Sequence, residues 1–182
     1  MMIHRGTESL ETERLVLRQF KPADAQYMFD NWASNPNVTR YLTWPAHVNV
    51  EKTASIVDGW VTGYNAVSFY QWAIELKELS QPIGTISVVR INEIVDEVEV
   101  GYCIGERWWH RGYTSEALAK VIEFLFSEVK AKRICAKHDT DNPNSGRVML
   151  KCGPEYEGTL RKAGKNNTNS ACDLAVYSVL NY

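Results

Sequence analysis

The stretch EVEVGYCIGERWWHRGYTSEALAKVIEFL, residues 97–125, decides the fold. Its opening run, EVEVGYCI, alternates with period 2. Val98, Val100 and Tyr102 share one face, and Glu97, Glu99, Gly101 and Cys103 the other, the pattern of a strand. Its closing run continues as TSEALAKVIEFLFSEVK (114–130), with Leu118, Val121, Ile122, Leu125 and Val129 on one helical stripe and Glu116 four residues before Lys120. Between strand and helix lies a short turn holding Gly112 with Arg107, His110 and Arg111. The first turn of a helix leaves backbone N–H groups without partners, and its positive dipole end favours an anion. Gly112 admits a ligand close to the backbone, and Thr114 or Ser115 is the expected helix cap. Many strand-to-helix turns contain glycine and bind nothing, so the turn alone leaves a phosphate cradle and an empty turn both open. It reads neither GxxxxGK[ST] nor GxGxxG, which disfavours ATP and dinucleotides.

Upstream of this unit, RLVLRQF (14–20) alternates as a half-buried strand. KPADAQYMFDNWASN (21–35) then places Ala25, Met28, Phe29 and Trp32 on one helical face. NPNVTRYLTWPAH (35–47) is turn-rich, EKTASIVDGWV (51–61) is helical, and SFYQWAIEL and PIGTISVVRI precede residues 97–104 as neighbouring strands of an antiparallel meander. Downstream, RICAKH is β-like, NSGRVMLKC is helix-like, and YEGTLRK (156–162) and CDLAVYSVLNY (172–182) are strands around the polar loop AGKNNTNS. The sum is a single mixed α/β (α+β) domain over residues 10–180, with a mostly antiparallel central sheet flanked by helices.

Composition narrows the function classes. At 182 residues, 45% of them hydrophobic, the chain is long enough to bury one substantial core. A net charge of −2 gives no basic footprint for nucleic acid. No stretch approaches the roughly 18 apolar residues that span a bilayer, and the start, MMIHRGTESLETERL, lacks a signal-peptide core. The four cysteines, Cys103, Cys135, Cys152 and Cys172, form no CxxC pair and have no histidine at metal-ligand spacing. They read as reduced thiols of a cytoplasmic protein without a bound metal.

WWHRGYTSEAL (108–118) resembles the coenzyme A signature of the GNAT N-acetyltransferases, in particular the ribosomal-protein alanine N-acetyltransferase branch, where the turn commonly reads W-G-(K/Q/R)-G-Y-A-T-E-A. Four further blocks are similar to that branch and stand in the expected order: LETERLVLRQFKPADA, PIGTISV with EVEVGYCI, NPNSGRVMLKCG as N-x-x-S-x-R-V-x-x-K-x-G, and YEGTLRK as E-G-x-x-R. Two positions depart from the family pattern. Thr114 stands where Gly or Ala is typical and tightens the cradle, and Pro154 stands where Phe usually follows KCG and stiffens that turn.

The resemblance implies acetyl-CoA as cosubstrate and an amine acceptor. The acceptor is the N-terminal α-amino group of a ribosomal or other protein, or alternatively a small amine such as a polyamine, an amino acid or an aminoglycoside. A coenzyme A-binding sensor without catalysis is the alternative from another class. By the same resemblance, Trp109, His110, Arg111, Gly112, Tyr113, Thr114 and Ser115 hold the pyrophosphate through their amides, and Val100, Tyr102 and Ile104 hydrogen-bond the pantetheine arm along a strand edge. Asn142 and Ser145 lie near the sulfur, with Ser145 as proton donor, although Asn142 before a helical run is equally a helix cap. Many family members carry a Tyr acid on this helix where Met149 stands here. Glu99 is the candidate base, its other reading being a cross-strand ion-pair partner. Tyr41 and Trp44 fall at the acceptor mouth with Glu99, and the acidic run Glu93, Asp96, Glu97 and Glu99 either attracts a cationic amine or faces water. Arg161 and Asp173 are expected to pair across the last strands. A homodimer is common among similar proteins.

Overall fold

A computed structural model describes residues 1–181, so Tyr182, the end of the last expected strand, lies outside the described residues. β1 (Leu10–Glu11), β2 (Leu15–Arg18), β3 (Gln71–Leu76), β4 (Gln81–Asn92) and β5 (Glu97–Ile104) follow one another as antiparallel neighbours. From β5 the chain crosses through α4 (Tyr113–Ser127) to β6 (Arg133–Asp139), which pairs parallel with β5, since a parallel neighbour requires a long crossover. β7 (Glu155–Lys165) and β8 (Ala171–Leu180) complete an eight-stranded sheet in the order β1-β2-β3-β4-β5-β6-β8-β7. β7 reaches into the expected polar loop as far as Lys165, and β8 starts directly after it.

The period-2 strands send alternate residues into two separate apolar layers. Leu15, Leu17, Trp72, Ile74, Val98, Val100 and Ile134 pack on one face with the α4 stripe and with Met149 of α5 (Pro143–Lys151). Leu118, Val121 and Leu125 of α4 are almost wholly buried, each burial stabilising by about 1.5–3 kcal/mol as an upper range. On the opposite face, Ala73 meets Phe20, Met28, Trp32 and Val57 from α1 (Asp24–Met28), the turns after it, and α3 (Val50–Gly63). Cys103 packs against this second layer, as its place on the strand requires.

The helix expected over 21–35 is shorter than its pattern. After Met28 the chain widens into a π-helical segment, Phe29–Ala33, closed by Ser34, whose amide and hydroxyl both donate to the Phe29 carbonyl. Pro36 then starts α2 (Pro36–Thr39), one turn capped by Asn35, whose Oδ1 accepts the Asn37 amide at 2.8 Å. This turn stands where the sequence reads as irregular. Asn35 thereby comes to rest beside the end of β5.

The site is created where β5 and β6 part. Their register runs from Glu97↔Arg133 to Val100↔Ala136 and stops there. Beyond it β5 stays with β4 and β6 stays with β8, so residues 101–104 have an open edge. A bulge in β4 between Val88 and Arg90 lies opposite Val100 and Glu99, at the point of divergence, and adds local twist. No helix among the described residues is long and apolar enough to cross a membrane.

Candidate active site

A cleft of about 710 Å³ occupies the gap between the strands. Its walls are the end of β5, the turn before α4, α2 with residues 40–42, and the outer side of α5. Tyr41, Tyr102, Ile104, Trp109, His110, Gly112, Thr114, Ser115, Asn142 and Ser145 all line it.

The turn holds the first functional group. Gly112 occupies the cap position of α4 in the left-handed region, with φ +82°, and no side chain caps the helix; neither Thr114 nor Ser115 does so. The expected side-chain cap is therefore replaced by glycine geometry. The amides from His110 to Ser115 have no protein acceptor among the described residues, while Glu116 N–H closes the first turn onto the Gly112 carbonyl. Six free donors at a helix start fit a pyrophosphate by charge and by direction. The turn is held from behind: Arg14 donates to the Arg111 carbonyl at 3.1 Å, stacks 4.4 Å over the Tyr113 ring and pairs with Glu116 at 2.6 Å. Glu116 also accepts from Thr12 Oγ1 and the Arg14 amide. Burial alone would raise this carboxyl, yet those bonds and the Arg14 charge bring it below its ordinary value.

The second group spans the gap. The Tyr102 hydroxyl donates to the Ser145 carbonyl at 2.9 Å, and Ser145 Oγ donates to the Tyr102 oxygen at 3.1 Å, so β5 and α5 are joined across the cleft floor. Burial raises the Tyr102 hydroxyl well above the ordinary tyrosine range, which keeps its proton in place. Asn142 takes the cap position of α5 without making a side-chain cap bond; its backbone N–H donates to the Asp139 carbonyl, and the residue lines the cleft with its side-chain amide unbonded among the described residues. Cys103 lines the cleft on the other side, its thiol pushed up to about 12 by burial. A thiol held neutral in this way is a poor nucleophile.

Several expected site residues stand elsewhere. Glu99 does not line the cleft; its carboxylate accepts from Lys137 at 2.7 Å and from Arg90 at 3.1 Å, the ion-pair reading of this residue. Val100 is still paired with Ala136 and buried against α4, so the open edge begins one residue later. Neither Arg111 nor Tyr113 lines the cleft; the Tyr113 ring is buried, with the Arg14 guanidinium over it. Trp44 packs on His47 at 5.1 Å and against the second apolar layer instead of reaching the mouth. The acidic run has neighbours of its own: Glu93 is bonded to His4, Asp96 pairs with the Met1 amino group, and Glu97 pairs with Arg90 and Arg133. Asp173 accepts from the Lys162 amide at 2.7 Å, and among the described residues Arg161 makes no ion pair.

The one carboxylate of the cleft wall among the described residues carries no role in the sequence reading. Glu106, in the turn after β5, lines the wall near α2 and accepts from Asn35 Nδ2 at 2.8 Å and Asn37 Nδ2 at 3.1 Å. Those two bonds lower its carboxyl below the ordinary range. Asn35 and Asn37 are some seventy positions away, so no local signal in the sequence joins them.

The model of the acetyltransferase (GNAT) domain matches residues 14–155. The chain is 34% identical to the uncharacterized N-acetyltransferase YoaA of Bacillus subtilis over 94% of this chain and 96% of that one. It is 29% identical to the ribosomal-protein-serine acetyltransferase of Escherichia coli, over 86% and 85% of the two chains. The crystal structure of the microcin C7 self-immunity acetyltransferase MccE in complex with acetyl-CoA and AMP superposes with a TM-score of 0.82 at 25% identity, over 93% of this chain and 94% of that one. Together with the free amides and the open strand edge, these likenesses establish the chain as a member of the GNAT family, an acetyl-CoA-dependent N-acetyltransferase.

Proposed function

We propose that the acceptor is the α-amino group of a peptide or protein, and that it attacks directly while both substrates are bound. The observation that carries this reading is the make-up of the cleft wall. Its single carboxylate, Glu106, is held ionised by two amides, and Glu99 is committed to two cations. His110 belongs to the phosphate turn. A site without a dedicated base favours an amine that is partly neutral unaided. With ordinary values of about 7.7–8.0 for an α-amine and 10.4 for lysine, the neutral fraction at pH 7 differs by roughly three hundredfold.

Acetyl-CoA supplies the thioester. The amides of residues 110–115 would bind its pyrophosphate, the edge of residues 101–104 would align the arm, and Asn142 would hold it on the α5 side. As the amine nitrogen bonds to the acetyl carbon and the carbon–sulfur bond breaks, the amine's proton leaves to cleft water. Ser145 Oγ, whose proton rests on the Tyr102 oxygen, turns that proton to the departing sulfur and recovers one from water before bonding Tyr102 again. A thiol with a pKa of about 8.5 needs only modest help of this kind. The protonated Cys103 argues against an acetyl-enzyme route. The E. coli relative named for a ribosomal protein supports a protein acceptor. Such acceptors are made in the cytoplasm, where the four free cysteines also remain reduced.

The test is thiol release from acetyl-CoA by pure protein with short peptides, amino acids, polyamines and aminoglycosides. Peptides with a free amino terminus are expected to turn over, and N-blocked peptides carrying lysine are not. Turnover confined to polyamines or aminoglycosides would overturn the α-amino reading.

A further inference from the structure

We infer that Glu106 is the anchor for the acceptor's ammonium group and selects cationic acceptors over neutral or anionic ones. The inference rests on the transferase reading above. Among the described residues Glu106 is the sole carboxylate in the cleft wall, and it forms no ion pair. By contrast, Asp24, Glu75, Asp96, Glu97, Glu99, Glu116 and Glu157 all have cationic partners. Arg40, which lines the same cleft, and Arg107, its neighbour in the chain, form no ion pair with it: Arg40 lies 5.2 Å over the Tyr41 ring and Arg107 lies 5.8 Å over Trp108.

Its carboxylate is oriented by neutral donors only. Asn35 Nδ2 reaches Oε2 at 2.8 Å, and Asn37 Nδ2 lies 3.1 Å from both oxygens. Asn35 is itself fixed, because its Oδ1 caps α2 through the Asn37 amide. A carboxylate offers about four acceptor positions, so the Asn side chains orient the charge without exhausting or neutralising it. What remains is an oriented, solvent-exposed negative charge at the cleft wall that forms no ion pair with Arg40, Arg147 or Lys151, the cations lining the same cleft. A primary ammonium, with three donors and one charge, complements it. Val38, Tyr41 and Leu42 line the same end and offer apolar surface to the carbon chain behind the nitrogen. Arg147 and Lys151 line the α5 wall together with Asn142 and Ser145, leaving the cleft's one acidic group to the β5 and α2 side.

The experiment compares wild type, Glu106→Gln and Glu106→Asp, using the peptide with a free amino terminus that turns over best. Glu106→Gln is expected to raise the acceptor KM about three- to tenfold at pH 7, with kcat unchanged or raised, because an ammonium no longer held by the carboxylate loses its proton more readily before attack, and with acetyl-CoA affinity unchanged. Glu106→Asp should recover part of the loss. The N-acetylated peptide, neutral at that position, should inhibit wild type and Glu106→Gln equally. An unchanged KM, a fall confined to kcat, or an equal loss of affinity for the N-acetylated peptide would each overturn the inference while leaving the transferase reading intact. If wild type binds acetyl-CoA yet no amine turns over, both fall together.

Discussion

Tyr102 and Ser145 join two elements at the point where the sheet opens: the hydroxyl of one lies 2.9 Å from the carbonyl of the other and 3.1 Å from its Oγ. A strand and a helix that would otherwise meet only through van der Waals contact are thereby held at a set distance across the cleft. Ser145→Ala should lower kcat about tenfold, since acid help to a good leaving group is modest, with acetyl-CoA affinity within threefold. Tyr102→Phe should lower kcat less and cost about 0.5–1.5 kcal/mol of stability for the lost hydroxyl bonds. Single-turnover thiol release and denaturant unfolding check the two effects.

Gly112 and Arg111 are adjacent and should respond in opposite ways. At φ +82°, Gly112→Val strains the backbone by about 1–2 kcal/mol and sets its Cβ 3.5 Å from the guanidinium of Arg14, the residue that holds the turn. Acetyl-CoA binding, followed by calorimetry, should weaken at least tenfold. Arg111 contributes its carbonyl to Arg14, and Arg111→Ala should weaken binding no more than about threefold.

Glu99 accepts from Lys137 and Arg90, and protonating it would sacrifice both pairs. Glu99→Gln should therefore retain turnover within about threefold and lose up to roughly 1 kcal/mol of stability. A hundredfold fall in kcat with acetyl-CoA affinity intact would reinstate Glu99 as the base.

Glu157 bonds Arg133 at 2.6 Å and accepts from Ser178, and these contacts pull its carboxyl from 4.5 down to about 2, Arg133 first. A carboxyl depressed on folding contributes stability that is present above its unfolded value and lost as pH falls through the folded one. Thermal unfolding should thus show Tm declining between pH 4.5 and 2. Arg133→Gln should lower Tm at pH 7 and flatten that decline, with solvent screening keeping both effects small because Glu157 is exposed.

A pH profile separates the acceptor classes. For an α-amino acceptor, kcat/KM should rise with pH to a plateau near 8, tracking loss of the ammonium proton, whereas a lysine acceptor would keep rising toward 10. Glu106 is already ionised through this range because Asn35 and Asn37 lower its carboxyl, so it adds no inflection.

The helix stripe from Leu118 to Val129, the alternation of Val98, Val100 and Tyr102, and Gly112 at the turn were legible from spacing alone. Each depends on residues within one or two turns of one another, where the periods 3.6 and 2 leave little choice. The turn of free amides belonged to this class, since main-chain amides at a helix start need only a glycine before them, while whether they hold a phosphate was left open by the spacing. Glu99 was read correctly as to its face of the strand, but its partners Arg90 and Lys137 come from neighbouring strands, and their approach turned a candidate base into an ion pair. Trp44 was misplaced because an aromatic in an irregular segment has no period to aim it.

By itself the sequence determined the succession of strands and helices apart from the π-helical segment and α2, the two-faced sheet and the position of the free amides, because all are consequences of local backbone geometry and burial. Only the tertiary structure decided where β5 leaves β6, that Tyr102 would meet Ser145, and that Asn35 and Asn37 would orient Glu106. Those depend on strand register and on the packing of α2 and α5, interactions between segments far apart in the chain, and no pattern within either partner records the other.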